Sequence, residues 1–195
     1  MGRTTAIVLG AGLSRRMGLP KLLLPLGGRP MLQHTLDLLT GFSFGRTILV
    51  TVPAVAENVD TAAEIVINRR PQAGLSKSVR LGVLAAEPGD SLFFFTGDQP
   101  LLDRETVAAI LDADDGASIV YPQGPDGAPK NPSLFAPRFR EALLALEGDE
   151  GGRQIRRLYP EACRPVPIVD AKVLLDVDTM EDYERVCAIW EREVR

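Results

Sequence analysis

Residues 6–21 join an apolar, β-branched segment to a glycine-rich loop that carries three cations. Gly10 and Gly12 let the backbone take conformations that a Cβ would forbid, so successive amide N–H groups can converge on phosphate oxygens. The three cations are Arg15, Arg16 and Lys21. Arginine grips phosphate oxygens with a planar fork, and lysine supplies a mobile point charge. The segment predicts a strand followed by a polyphosphate-binding loop; a surface turn with incidental arginines is the alternative.

Two better-known phosphate loops do not fit this segment. The Walker pattern requires Gly-Lys followed by Ser or Thr, whereas Lys21 lies between Pro20 and Leu22. The dinucleotide-binding pattern G-x-G-x-x-G requires glycine at position 15, where the chain has Arg15. If the loop binds a nucleotide, it therefore does so through neither of these two patterns.

The composition limits the class of protein. A chain of 195 residues predicts a single domain spanning residues 1–195. A net charge of -4 argues against bulk nucleic-acid binding, although local cations can still bind an anion. No apolar run approaches the roughly 18 residues of a membrane span. We expect neither a nucleic acid nor a membrane as partner.

Cysteine and histidine are too few for a disulfide framework or a histidine-rich zinc site. Cys163 and Cys187 show no metal-ligand spacing, and His34 is the only histidine. Without a signal peptide, these cysteines favour a reduced cytoplasmic setting. We expect all three residues to serve packing.

Apolar, β-branched segments alternate with helical patterns along most of the chain. Strands are predicted at residues 4–9, 47–52, 64–67, 91–95 and 117–121, and helices at residues 30–39, 75–86 and 104–113. This alternation implies right-handed crossovers and a mainly parallel sheet in a three-layer α/β fold. Ligands bind such sheets at the carboxyl ends of the strands, where the glycine-rich loop begins.

The pattern changes after residue 121. A loop rich in glycine and proline covers residues 122–132, and a short apolar segment follows, which predicts a lid or a small acceptor-side lobe. Helices are predicted at residues 137–146 and 152–159, a late strand at 172–177, and a final helix capped by Thr179. On the second of these helices, Arg153, Arg156 and Arg157 could steer an anionic acceptor or form a solvated face.

Two acidic motifs follow apolar segments and supply candidate metal ligands. Asp98 follows a predicted strand and precedes Gln99 and Pro100; a helix N-cap is its alternative role. Asp176 and Asp178 share one face if the late strand persists, and either could complete the site, with Asp178 slightly preferred. Magnesium takes hard oxygen ligands, usually one or two carboxylates with phosphates and water.

The order of these motifs resembles that of the MobA-like nucleotidyltransferases, and specifically the branch of molybdenum cofactor cytidylyltransferases. The similarity covers nearly the whole chain, including the loop through residue 30, the Gly97-Asp98-Gln99-Pro100 turn and residues 175–182. Residues 74–80 resemble the segment that borders the base and the triphosphate in that family. The resemblance implies a three-layer, Rossmann-like nucleotidyltransferase fold with a small C-terminal acceptor-side lobe.

The resemblance also implies a reaction, its partners and its residues. CMP would pass from CTP to a phosphorylated pterin with Mg²⁺ as cofactor, and a molybdoenzyme or its chaperone is a further implied partner. The catalytic residues would be Lys21, Arg15 and Asp98, and the metal ligands Asp98 with Asp178 or Asp176. The nucleotide-binding residues would be Leu9, Gly10, Ala11, Gly12, Arg16, Gly74, Leu75, Ser76 and Ser78.

Three other functions remain open at this point. Guanylyl-transferring relatives tend to carry two glycines where this chain has Ala11-Gly12, which favours CTP over GTP. A sugar-1-phosphate nucleotidyltransferase would use the same loop, lysine and aspartate. A non-catalytic nucleotide-binding module is the alternative from another class, but it has little need of two separated carboxylates at one phosphate site.

Overall fold

A computed structural model describes residues 3–12 and 17–193 of the chain. Its strands are β1 (Thr4–Gly10), β2 (Pro25–Leu26), β3 (Arg29–Pro30), β4 (Arg46–Thr51), β5 (Glu64–Ile67), β6 (Ser91–Thr96), β7 (Ile119–Gln123), β8 (Ser133–Phe135) and β9 (Cys163–Pro167). Its helices are α1 (Met31–Thr40), α2 (Pro53–Ala56), α3 (Leu75–Ala85), α4 (Arg104–Asp112), α5 (Arg140–Leu144), α6 (Gly152–Leu158) and α7 (Met180–Glu193).

Seven strands form one sheet in the order β5-β4-β1-β6-β8-β7-β9, and β2 and β3 form a separate hairpin. Within the sheet, only β8 runs antiparallel to its neighbours, β6 and β7, among the strands in the described ranges. The prediction of a mainly parallel sheet is confirmed. The carboxyl ends of β1, β6 and β7 therefore lie at one edge, and β8 begins near that edge.

Helices cover both faces of the sheet, which confirms the three-layer architecture. Phe93 and Phe95 of β6 are fully buried on one face, in a core that includes Ile110 of α4 and Val186 of α7. Phe94 faces the other core, to which α3, α5 and α6 contribute. Because β6 is apolar on both sides, it reads as a continuous hydrophobic run, as buried parallel strands do.

Side-chain caps fix the start of two helices, and the one at Thr179 was predicted. The Asp103 carboxylate accepts a hydrogen bond of 2.8 Å from the Thr106 amide at the start of α4. At the start of α7, the Thr179 hydroxyl accepts from the Asp182 amide at 3.2 Å, and Asp182 Oδ2 accepts from the Thr179 amide at 2.8 Å. This reciprocal capping holds the beginning of α7 directly after the second acidic motif.

The late strand predicted at residues 172–177 is wrong. Residues Ala171–Leu174 form a 3-10 turn, which begins at Asp170 with a side-chain hydrogen bond to the Lys172 amide. The Val177 amide instead donates to the Asp98 carbonyl at 2.9 Å. The apolar residues of this segment pack against the rest of the chain without joining the sheet. The apolar pattern therefore indicated burial and not a strand.

Sequence patterns also missed β9, which pairs in parallel with β7. Its sequence, Cys-Arg-Pro-Val-Pro, contains two prolines. Proline removes a ladder donor and is tolerated mainly on edge strands, which is the position of β9 in the sheet. As a result, residues 133–167 extend the main sheet, and the predicted acceptor-side segment is built onto it. Within the described ranges, no helix has the length and apolar character that a membrane crossing needs.

Candidate active site

A cavity of about 490 Å³ opens where β1 and β6 end. It brings together nine of the predicted site residues: Leu9, Ala11, Gly12, Lys21, Gly74, Leu75, Ser78, Asp98 and Asp178. These residues come from five separate parts of the chain. Parallel strands carry their carboxyl ends to one edge of a sheet, which explains why distant segments meet there.

Lys21 lies at the centre of the polar contacts in this cavity. It begins the 3-10 turn Lys21–Leu23 that follows the glycine-rich loop. Its Nζ donates to Asp98 Oδ2 at 2.7 Å, to Asp178 Oδ1 at 2.9 Å and to the Val177 carbonyl at 2.8 Å. The predicted catalytic lysine and two predicted metal ligands are therefore in direct contact.

The two carboxylates keep Lys21 charged. Its side chain is 12% exposed, and burial alone would lower the pKa of Lys21, but the charges and hydrogen bonds of Asp98 and Asp178 raise it above its usual value. Charge-assisted hydrogen bonds of this kind are stronger than neutral ones. The site therefore holds a fixed cation beside two acids.

Asp176 does not share the environment of Asp178. Loss of hydration, with the negative charges of Asp98 and Asp178, raises the pKa of Asp176 to about 7. Asp176 keeps an exposed surface, so its hydration is lost only in part and water screens part of this repulsion. Because residues 175–177 are not a strand, the predicted shared face of Asp176 and Asp178 does not form. The contact with Lys21 distinguishes Asp178 from Asp176.

The oxygen atoms of Asp98 and Asp178 fit a magnesium-type cation. Asp98 Oδ1 is buried and has no hydrogen-bond partner in the structure as described. A buried carboxylate oxygen without a partner is costly unless an ion or water satisfies it. Across residues 3–12 and 17–193, no three acidic, histidine or cysteine side chains are grouped to hold a metal by themselves. Substrate phosphates and water would therefore complete the coordination, as magnesium commonly requires.

The two glycines of the loop have different roles, since Gly10 packs within the sheet and Gly12 lines the cavity. Gly10 ends β1, and a Cβ there would lie 3.3 Å from side-chain atoms of Leu49 and Thr51. Its carbonyl accepts a hydrogen bond of 2.8 Å from the Thr51 hydroxyl, so Gly10 packs within the sheet and does not line the cavity. Gly12 lines the cavity and has open space where a Cβ would be. The predictions for Arg15 and Arg16 fall outside the described residues.

The start of α3 is fastened to the segment that precedes α6. Gly74 has a φ of +97°, and a Cβ there would lie 2.1 Å from the Gly148 carbonyl oxygen. That oxygen accepts a hydrogen bond of 3.1 Å from the Ser76 amide. Ser76 is buried and does not line the cavity, so its position supports an anchoring role. Leu75 and Ser78 line the cavity, and Ser78 also accepts from Asn68 at 3.0 Å.

Four cavity residues were not found from the sequence: Pro71, Gln72, Thr96 and Asp149. Thr96 ends β6, two positions before Asp98, and its hydroxyl oxygen is buried without a partner among the described residues. Its position at the end of a predicted strand could have indicated that Thr96 lies at the ligand-binding edge of the sheet. Asp149 reaches the cavity only because Gly148 packs on Gly74, which no local pattern indicates.

Comparisons with known proteins identify the family of the chain. The MobA-like NTP transferase domain matches residues 6–164. The bifunctional protein GlmU of Paracidovorax citrulli is 30% identical over 128 residues, which are 61% of this chain and 27% of that protein. The chain thus spans about a quarter of the length of the curated relatives it matches.

Two solved structures are similar over nearly the whole chain. The homologue of Mycobacterium tuberculosis Rv0371c from Mycobacterium sp. strain JC1 is 32% identical, with a TM-score of 0.86, 97% of this chain covered and 98% of that one. Rv0371c of M. tuberculosis H37Rv in complex with manganese is 27% identical, with a TM-score of 0.82, 96% of this chain covered and 98% of that one. Given the family match over most of the chain, together with the cavity and its lysine and aspartates, the chain belongs to the MobA-like NTP transferase family.

Proposed function

We propose that this nucleotidyltransferase moves CMP from CTP to the phosphate of molybdopterin or the molybdenum cofactor, with release of pyrophosphate. The observation that carries the proposal is the Lys21 ammonium held between Asp98 and Asp178 in the cavity that Gly12 lines. The choice of cytidine is supported by Ala11-Gly12, which lines that cavity where guanylyl-transferring relatives tend to carry two glycines. The segment Leu75-Ser76 also resembles the cytidylyl branch. We place the reaction in the cytoplasm.

The chemistry of the step needs little proton transfer. An oxygen of the acceptor phosphate attacks the α-phosphorus in line, a new P–O bond forms, and the bond to the pyrophosphate oxygen breaks with its electron pair. The attacking oxygen is already largely ionised near neutral pH, so no general base is required. The barrier comes from bringing two anions together, and positioning and electrostatic stabilisation must lower it.

The chain's own residues supply that stabilisation. Lys21 provides a fixed positive charge whose pKa is raised by its acidic neighbours. Ala11 and Gly12 line the cavity, and the lack of a side chain at Gly12 would let a triphosphate approach the backbone closely. Arg15 would add a fork for phosphate oxygens.

Asp98 and Asp178 would hold a divalent metal together with the phosphates, and Mg²⁺ is the ion we propose. Such an ion supplies Lewis-acid charge compensation to the phosphoryl oxygens. The unpartnered Asp98 oxygen and the manganese found with the similar Rv0371c structure both support a divalent cation.

A second acceptor class is included in the test because relatives such as those of Paracidovorax citrulli and Rhodospirillum rubrum carry the name bifunctional protein GlmU. A sugar 1-phosphate would use the same lysine and aspartates. GTP in place of CTP is the corresponding alternative for the donor.

A pyrophosphate-release screen tests the proposal. CTP, GTP, ATP and UTP are each offered with molybdopterin and with sugar 1-phosphates, in Mg²⁺ and in Mn²⁺, and Asp98→Ala serves as the inactive control. We expect the strongest signal with CTP and the pterin. A strong signal with a sugar phosphate and none with the pterin would overturn the acceptor. Nucleotide binding without pyrophosphate release for any acceptor would favour the non-catalytic module.

A further inference from the structure

Arg156 of α6 is a half-buried cation with one neutral hydrogen-bond partner. Its Nη1 donates to the Ser133 hydroxyl at 2.6 Å, and its Cζ lies 5.0 Å from the centroid of the Tyr121 ring. Burial lowers the pKa of Arg156, and the nearby groups that act on its charge are Tyr121, Cys163 and Arg153. Within the described part of the chain, no carboxylate forms an ion pair with it.

Other arginines on this side of the molecule are placed differently. Arg46 forms ion pairs with Glu64 and Glu87, and Arg140 donates to backbone carbonyls of residues 83, 86 and 87. Arg153 and Arg157, on the same helix as Arg156, are exposed to solvent. Arg156 alone among these combines partial burial with the lack of a charged or backbone acceptor.

The sheet register places Ser133, the hydrogen-bond partner of Arg156, near the edge of the cavity. Ser133 lies opposite Phe94 in the antiparallel pair of β6 and β8, so both side chains share a face of the sheet. Thr96 is two residues further along β6 and lies on that same face, with its buried hydroxyl unpartnered and lining the cavity. Ser133 therefore lies one strand away from the cavity edge at Thr96, about 5 Å across the sheet, and two residues away along the strand, about 7 Å.

The remaining donors of Arg156 suit an anion. A guanidinium has five N–H donors in a fork that matches phosphate and carboxylate oxygens, and Ser133 takes one of them. The other nitrogen atoms are not sealed in the protein interior without partners. Holding a partly desolvated cation without an acid costs stability, which an incoming anion would offset.

We infer that Arg156, with Ser133 and Tyr121, forms a subsite for an anionic group of the acceptor, a phosphate monoester or a carboxylate, adjoining the nucleotide cavity at Thr96. That the anion belongs to the acceptor rests on the proposed function, whereas the anion subsite rests on the geometry of Arg156 and Ser133. The subsite lies on the β8 and β7 side of the sheet, away from Gly74 and Leu75 at the start of α3. It supplies positive charge on a second side of the reaction centre.

The test is an NMR titration of the protein with phenyl phosphate and, separately, with benzoate at low ionic strength. The Arg156 Nε–H resonance is assigned by its absence from Arg156→Met, which keeps the apolar stem and removes the charge. We expect phenyl phosphate to shift this resonance. Arg156→Met should weaken the binding measured at the amides of Ser133 and Tyr121 by tenfold or more, as expected for loss of a charge-assisted hydrogen bond.

Arg157→Met is the matched control, because it removes a neighbouring exposed arginine from the same helix, and it should leave the affinity unchanged. Arg156→Lys keeps the charge without the fork, and it should bind more weakly than the wild type even if Arg156→Met folds poorly. A shift with benzoate alone would identify the anion as a carboxylate and still support the subsite. An Arg156 resonance that neither ligand moves, or equal losses in the two Met variants, would overturn it.

A second measurement distinguishes failure of the anion subsite from failure of the proposed function. Binding of CTP with Mn²⁺ is measured by calorimetry on the same variants, and Arg156→Met should leave it unchanged. A chain that binds no nucleoside triphosphate would refute the proposed function while the phenyl phosphate titration still reports on Arg156. Normal nucleotide binding with no shift at Arg156 would refute the subsite alone.

Discussion

Lys21 Nζ lies 2.7 Å from Asp98 Oδ2, although the two residues are 77 positions apart in the chain. Their side chains are 12% and 20% exposed. A charge pair this sheltered is strongly coupled, because solvent screens it less than a pair at the surface. The catalytic cation and the first metal ligand of the proposed site are therefore parts of one electrostatic unit.

Removal of either charge should stop the reaction. Lys21→Ala and Asp98→Ala should each lower the rate of pyrophosphate release by about a hundredfold or more, as loss of a preorganised charge typically does. Lys172→Ala, which removes an ammonium paired with Asp170 at the surface, should react at the wild-type rate. Wild-type turnover in a folded Lys21→Ala or Asp98→Ala protein would contradict the assignments.

Lys21 should compete with a metal for the same carboxylates. Lys21→Met should tighten Mn²⁺ binding in the absence of nucleotide by about tenfold, since both Asp98 and Asp178 lose an ammonium contact. Electron paramagnetic resonance of free Mn²⁺ measures the affinity. Lys172→Met controls for the general change in net charge. Weaker Mn²⁺ binding by Lys21→Met would show that the lysine supports the metal site instead of competing with it.

Asp178 and Asp176 should differ as metal ligands. Asp178→Asn should weaken Mn²⁺ binding by about tenfold or more, because its carboxylate lies at the Lys21 and Asp98 cluster. Asp176→Asn should have a smaller effect, since it removes only a nearby charge. Calorimetric titration of both variants decides between them, and a larger loss for Asp176→Asn would reverse the assignment.

The raised pKa of Asp176 predicts a pH-dependent stability. In the folded chain this pKa is about 7 against a usual value of 3.8, so the folded state holds the proton more tightly than the unfolded state. The stability that the proton confers is present below pH 3.8 and is lost as the pH rises through about 7. Asp176→Asn should therefore raise Tm most at pH 8, less at pH 5, where only part of that stability is lost, and least near pH 3.8.

Circular dichroism in metal-free buffer measures these Tm values. Glu191→Gln removes an exposed acid of α7 and serves as the control for net charge. An equal rise in Tm at pH 8 and pH 5, or a rise confined to pH 5, would contradict the assigned repulsion from Asp98 and Asp178.

The contact between Gly74 and Gly148 should be sensitive to a single methyl group. Gly74→Ala would bring a Cβ to within 2.1 Å of the Gly148 carbonyl, at a backbone φ of +97°. Gly89 has a similar φ of +94° with open space around it. Gly89→Ala should cost roughly 1–2 kcal/mol of unfolding free energy from backbone strain alone, and Gly74→Ala should cost more.

Urea unfolding measures both free energies, and calorimetry measures nucleotide affinity. We expect Gly74→Ala to lose affinity as well, because Leu75 and Asp149 line the cavity on either side of the contact. Equal costs for the two alanine variants would show that the segment before α6 yields to the methyl group.

Local patterns determined much of the fold and part of the site. The apolar segments that became β1, β4, β6 and β7 were predictable because buried parallel strands are continuously apolar and the intervening helices are amphipathic. The short strand β5 lies at the exposed edge of the sheet and was predictable from its β-branched residues. Asp98 was predictable because it comes just after a strand, and Lys21 because it is the last cation of the loop that follows another strand. In contrast, β9 was missed since its two prolines weaken the strand signal.

The amino-acid sequence was therefore enough to predict the three-layer α/β architecture, and it singled out Lys21, Asp98 and the acids near residue 178 as candidates for the site. Only the tertiary structure decided that Asp178 and not Asp176 contacts Lys21, that Asp149 enters the cavity, and that Arg156 has no acidic partner among the described residues. The difference arises from the separation in sequence of the residues that interact. Strand and helix signals arise from neighbouring residues, whereas a contact across 157 positions depends on how the whole sheet brings its strand ends together.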